Sequence, residues 1–297
     1  MGGGGDVVGA LATAEHARLY DRAAPVLGGI TWERRAIDPV AGPRRVSEIT
    51  GGRELAPGVL LAGPQTRVAD REMYFAESRM AEFLGEETVL VDIHDGPAAI
   101  ARGLAGAAQQ LGCDLLVFID VGGDVLAHGD EAGLRSPLCD ALMLAAAARL
   151  RDAGHEVLLG VFGIGCDAEL TPAEVLARIA VVAGAGGLCG ARGLTGPVAD
   201  RLEAAVALVP TEASAQAVRA FRGVSGPVPI RSGAATVELN SLAAMTLYLD
   251  VGATIAATGR LAQAVSSATT LEQANDALNR LGVRTELDLE SGAARVG

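Results

Sequence analysis

Leu115-Leu-Val-Phe-Ile-Asp120-Val-Gly-Gly-Asp124-Val-Leu-Ala-His128-Gly-Asp130 is the stretch whose reading decides the fold. Its first half is an unbroken apolar run, the pattern of a strand buried on both faces. Its second half switches to glycine, aspartate and histidine. Ser136-Pro137 then opens an Ala- and Leu-rich helical stretch, with proline at the first helical position. Strand, polar loop and helix in that order are the repeating unit of an α/β sheet.

The alternation continues on both sides. Strands are predicted at 26–31, 59–62, 88–93, 115–121 and 157–162, and helices at 7–20, 75–84, 97–111, 136–153 and 172–182. Thr171-Pro-Ala-Glu174 is a capping box that fixes the start of the last of these,. This order predicts an α/β fold with a mostly parallel sheet and helices on both faces. Beyond Gly190 the pattern weakens. Helices are expected at 197–208, 212–221, 260–265 and 271–281, short strands at 236–239, 247–249 and 284–289, and a connection at 223–233. The 297 residues suit a single α/β domain, with 240–297 as a C-terminal elaboration,.

Composition removes several function classes. Half the residues are hydrophobic but only 3% are aromatic, so Ala, Val and Leu must build the core. No apolar run reaches the roughly 18 residues of a membrane span. The N-terminus lacks a signal-peptide pattern, so a cytoplasmic location is expected. The net charge is −12, without a basic stripe, which argues against nucleic acid as a partner,. All 24 basic residues are arginine. A chain without lysine has no lysine Schiff base and no P-loop or kinase lysine. Cys113, Cys139, Cys166 and Cys189 form no C-x-x-C pair. They are expected to be reduced, and only Cys166, in a glycine loop, has the setting of a nucleophile.

The chemistry-bearing residues fall after the predicted strands. Gly2–Asp6 precede the first helix, Trp32–Arg35 follow one strand, and Asp92, His94 and Asp95 follow another. Asp120–Asp130 follow the central strand, and Gly163, Gly165, Asp167 and Glu169 follow the next. In a parallel sheet these five loops share one edge, where open α/β folds bind ligands.

Each loop has its own chemistry. Gly3, Gly4 and Gly5, with Asp6, present backbone N–H groups at a helix start and suit a phosphate or carboxylate. Glu33 is placed to accept from a ribose diol. The G-x-G-x-x-G fingerprint is broken, because Asp6 stands where a glycine is required between Gly4 and Gly9. Such a loop normally follows a strand, yet only Met1 precedes it here. Either the start lies upstream, or the sheet lacks its usual central member.

Gly122 and Gly123 permit close backbone approach. Asp120 and Asp124 can hold Mg²⁺ or Mn²⁺. Asp120, Asp124, His128 and Asp130 can equally supply acid–base chemistry, with His128 tuned by a neighbouring aspartate. Arg135 can clamp an anion. Gly163, Gly165 and Asp167 form a second cradle. Metal and metal-free chemistry remain equal alternatives at this level.

Six stretches carry a family resemblance: GGGGD at 2–6, GGITWER at 28–34, FAESR at 75–79, DVGGDVLAHGDEAGLRSPLCDA at 120–141, GVFGIGCDAELT at 160–171 and PTEAS at 210–214. In this order they resemble the DUF1152 family of archaeal and bacterial proteins. The resemblance implies a Rossmann-like fold and gives added weight to the central block, but it implies no activity. The leading expectation is an enzyme for a small phosphorylated or nucleotide-like anionic metabolite, of lyase, hydrolase or isomerase type. An NAD(P)-dependent oxidoreductase and a non-catalytic nucleotide-binding sensor are the alternatives. A homo-oligomer is the default expectation for a large α/β protein.

Overall fold

The structure, a computed structural model, describes residues 1–292. The chain opens with α1 (Asp6–His16), β1 (Gly28–Ile30), β2 (Ile49–Ala56), β3 (Val59–Val68), α2 (Ala76–Leu84), β4 (Thr88–Val91) and α3 (Gly96–Leu111). The central unit is β5 (Leu115–Val121), α4 (Pro137–Asp152), β6 (Glu156–Phe162) and α5 (Pro172–Gly184). There follow β7 (Leu188–Gly193), α6 (Gly196–Leu208), α7 (Glu212–Phe221), β8 (Gly226–Ile230), β9 (Ala235–Leu239) and β10 (Met245–Asp250). The last helices are α8 (Val251–Thr258), α9 (Arg260–Val265), α10 (Leu271–Arg280) and α11 (Glu286–Glu290).

The α/β class holds, but the sheet is not mostly parallel. The strands form two four-stranded sheets, β1-β4-β3-β2 and β5-β6-β10-β7, and a β8-β9 ribbon. Among the described pairings only β1 with β4 and β5 with β6 are parallel. The other five are antiparallel. For β2 and β3 the reason is connection length. Pro57-Gly58 joins β2 to β3 in a tight turn, with Gly58 at φ +77°, and so short a link permits only an antiparallel pair,. The strand β10 arrives from β9 through a single 3₁₀ turn at Ser241–Ala244 and runs antiparallel between β6 and β7.

Two further expectations are corrected, and one strand was not foreseen. The 223–233 connection contains β8, whose Val228 and Ile230 alternate inward beside Val237 and Leu239 of β9. The strand expected at 284–289 is α11, because Thr285 caps it and forms a reciprocal pair with Asp288,. The exposed strand β7 carried no periodic signal.

Side chains alternate across β5 and β6 as the pleat requires. Phe118, Leu159 and Val161 join α4 in one core, while Ile119, Val121 and Phe162 join α1, α6 and α7 in another. Helices therefore cover both faces of this pair. Leu138, Leu142, Leu144 and Leu150 of α4 are essentially inaccessible, each stabilising the fold by about 1.5–3 kcal/mol relative to exposure. Leu261, Val265 and Leu278 of α9 and α10 pack into that same core.

Among the described residues the two sheets are not hydrogen-bonded to each other. Between them lie the first residues. The Met1 ammonium donates to the Ile119 carbonyl of β5, and the Gly4 N–H donates to the Trp32 carbonyl beyond β1 at 2.8 Å. Among the described residues no strand fills this seam. Nor is any helix among them long and apolar enough to cross a membrane.

Candidate functional site

The strand β5 delivers Asp120 to its C-terminal end. Gly122 and Gly123 then turn the chain at φ +132° and +113°, and Asp124 begins a single 3₁₀ turn. Asp140 enters from the first turn of α4. Asp120, Asp124 and Asp140 are 1%, 5% and 3% exposed. Each offers a carboxylate oxygen within 4.8 Å of the others. Asp120 Oδ2 and Asp140 Oδ1 are buried without a hydrogen-bond partner. Orphaned buried oxygens are rare and call for a proton or a cation. Burial, then the Asp6 carboxylate, pushes the Asp120 carboxyl up to about 7. Burial raises Asp124 well above the ordinary range, reinforced by Asp140 and Glu169. Asp140 is raised likewise by burial and by Asp120.

The loop after β6 is stitched to this one. Gly122 N–H donates to the Phe162 carbonyl at 2.9 Å, and Gly165 N–H donates to the Gly122 carbonyl at 2.7 Å. A Cβ on Gly122 would stand 2.2 Å from Cγ of Asp167, so glycine there is what admits Asp167. Asp124, Asp167 and Glu169 form a second set of carboxylates within 4.8 Å. Glu169 is held by the N–H groups of Arg135 and Ser136 at 2.6 and 2.8 Å, and by the Ser136 hydroxyl at 2.6 Å. Arg231 Nη2 lies 3.5 Å from Glu169 Oε1. The Ser136 hydroxyl therefore does not cap α4. That role falls to Glu286, which accepts from Leu138 N–H at 3.0 Å and Cys139 N–H at 2.8 Å.

The glycine loop forms the facing wall. Gly3 packs where a Cβ would meet the Trp32 carbonyl at 2.3 Å, and Gly5 where one would meet Thr211 at 2.3 Å. Asp6 accepts from Gly2 N–H at 2.8 Å. Among the described residues, the N–H groups of Gly3, Gly5, Asp6 and Val7 donate to nothing. They stand at the start of α1, where the helix dipole favours an anion. The Arg34 guanidinium reaches this cavity and has no hydrogen-bond partner among the described residues. Arg34 is an exposed residue at the cavity mouth; the desolvation it meets there works against its charge, but Asp6, Glu169 and Asp124 hold its pKa above the ordinary value.

Glu33 has one oxygen engaged, and the other faces the glycine loop and the cavity. Its Oε1 accepts the Ala76 N–H at the start of α2 at 2.5 Å. Burial, partly offset by that hydrogen bond, pushes its carboxyl up to about 7. Behind it, Glu77 Oε2 is buried without a partner. Burial, then Glu33, raises Glu77 well above its ordinary range.

Of these groups, Asp6, Glu33, Arg34, Asp124, Asp140 and Glu169 line one cavity of about 830 Å³, while Asp120, Gly3 and Glu77 do not reach its wall. Four of the five loops reach it. The His94 loop does not; α10 covers it, with Leu271 N–H donating to the His94 carbonyl at 2.7 Å. Nor do His128 and Asp130 join Asp120 and Asp124. After the 3₁₀ turn the chain extends at Ala127, and His128 N–H donates to Glu131 at 2.8 Å while its carbonyl receives Arg260. Asp130 is 78% exposed, 4.0 Å from Arg178. Arg135 lines the cavity. Burial pushes the Cys166 thiol up, so it is no activated nucleophile.

Asp140 and Glu169 lie within the quoted motifs, and their polar spacing was the available signal. Arg34 stood beside Glu33. Thr211, within the quoted PTEAS stretch, reaches the cavity too; Arg231 and Glu286 reach it from distant segments, and no local pattern marks those two. No match is found among curated proteins or among solved structures. One family model does match, spanning residues 1–294 and described as a protein of unknown function, so the chain belongs to the DUF1152 family.

Proposed function

We propose that this protein is an enzyme for a small anionic metabolite, phosphorylated or nucleotide-like, working by cation-assisted acid–base chemistry in the 830 Å³ cavity. The observation that carries the reading is the buried Asp120–Asp124–Asp140 set with its two orphaned oxygens. Three carboxylates so close cannot all be ionised in a buried place without a counter-charge. An all-oxygen donor set suits Mg²⁺ or Mn²⁺. Asp120, Asp124 and Asp140 would hold the ion, which would supply Lewis acidity at a phosphoryl or carbonyl oxygen,.

The remaining groups divide the work. The free N–H groups of Gly5 and Asp6, with Arg34, line the cavity and receive the anion beside the carboxylates. Glu33, titrating at about 7, is matched to proton transfer near neutral pH. Lyase, hydrolase or isomerase chemistry fits these parts better than hydride transfer. The dinucleotide fingerprint is broken, and one Glu33 oxygen is engaged by Ala76.

The test is a screen of phosphorylated metabolites with metal-stripped protein, with and without added Mg²⁺ or Mn²⁺. A hit should depend on the cation and vanish in Asp124→Asn while the far-UV spectrum is retained. Full turnover in Asp124→Asn would end the proposal.

A further inference from the structure

We infer that Asp124 bridges two divalent cations, one held with Asp120 and Asp140 and the other with Asp167 and Glu169. The inference rests on the cation reading above and adds the number of ions and the identity of the bridge.

The two carboxylate sets share one member, Asp124. That side chain is 5% exposed. No N–H or hydroxyl among the described residues donates to it; its side-chain hydrogen bond is with the Asp120 carboxyl, the contact a cation between the two would replace. A carboxylate that offers one oxygen to each of two ions holds them roughly 3.5–4 Å apart, the spacing of two-metal sites. The independent sign of a missing ligand is the pair of buried, unpartnered oxygens, Asp120 Oδ2 and Asp140 Oδ1.

The second position is prepared differently. Glu169 is locked by Arg135, Ser136 and the Ser136 hydroxyl. This is the outer support that orients a ligating carboxylate. Asp167 is admitted only because Gly122 has no Cβ. Its Oδ1 accepts only a 3.2 Å contact from Glu169 N–H. Charge also favours two ions. Five carboxylates around a single divalent cation leave three negative charges in a buried space. Two cations leave one, and Arg231, 3.5 Å from Glu169, balances it.

The experiment titrates the metal-stripped full chain with Mn²⁺, following stoichiometry by calorimetry and coupling by electron paramagnetic resonance. The expected result is two ions per chain with an exchange-coupled spectrum. Asp140→Asn and Asp167→Asn should each retain one tight ion and lose the coupling. Asp124→Asn should weaken both by roughly tenfold or more. Thermal melts of each variant separate lost binding from lost folding. One ion per chain with an isolated-ion spectrum in the unmodified protein overturns the inference and leaves the single-cation reading standing. No binding of Mn²⁺ at all overturns both.

Discussion

Metal-stripped protein should lose stability as the pH rises from about 5 to 7. The Asp120 carboxyl moves from an ordinary 3.8 to about 7 on folding, and Glu33 from 4.5 to about 7. Between those values the folded chain keeps protons that the unfolded chain releases. The unfolded state then binds fewer protons, so stability falls with pH, by about 1.4 kcal/mol per pH unit for each such group. The contribution is intact below the unfolded pKa, declines through the window, and is gone above about 7. For Asp120, at 1% exposure, the whole shift corresponds to about 4 kcal/mol. The assay is urea denaturation in chelator across this range, repeated with saturating Mg²⁺ and with Asp120→Asn. Added Mg²⁺ should flatten the decline, because the cation replaces the protons. Asp120→Asn should shrink the slope in chelator by that group's share. A stability that is flat or rising between about pH 5 and 7 in chelator would refute the reasoning.

Three further outcomes are expected. Gly122→Ala places a Cβ 2.2 Å from Asp167 Cγ at φ +132°; it should cost about 1–3 kcal/mol in a thermal melt and weaken Mn²⁺ binding. His128→Ala and Asp130→Ala, whose parent side chains do not line the cavity, should leave Mn²⁺ affinity within about twofold; a loss of a full decade would show that the loop reaches the site. Thr171→Ala removes the α5 capping box and should lower stability by about 1 kcal/mol, with cation stoichiometry unchanged by calorimetry.

How much of this was legible depended on range. The strands β5 and β6 and the helices after them announce themselves through periodicity and caps. The placement of Asp120 and Asp124 at the end of β5 follows from the same few residues. What failed was what local sequence does not encode. The seat of β10 between β6 and β7 is a long-range pairing, invisible in the residues 245–250 themselves. The β2–β3 hairpin hid because Gly51, Gly52 and Pro64 interrupt its alternation; its one clear sign was Pro57-Gly58. His128 and Asp130 were grouped with Asp120 by adjacency alone, and one 3₁₀ turn was enough to send them elsewhere. Glu286 capping α4 is a contact across 148 positions, which no reading of spacing reaches.

The hydrogen bonds that tie Gly122 to Phe162 and Gly165 have a consequence for how this site can vary. They carry the ladder of β5 and β6 beyond the strands, so the two acidic loops move as one body. A change in either loop is felt by both carboxylate sets. Substitutions there should not combine additively. A side chain at 122 would have to displace Asp167, 2.2 Å from the Cβ it would carry, so the acidic ligand and the glycine that admits it can change only together.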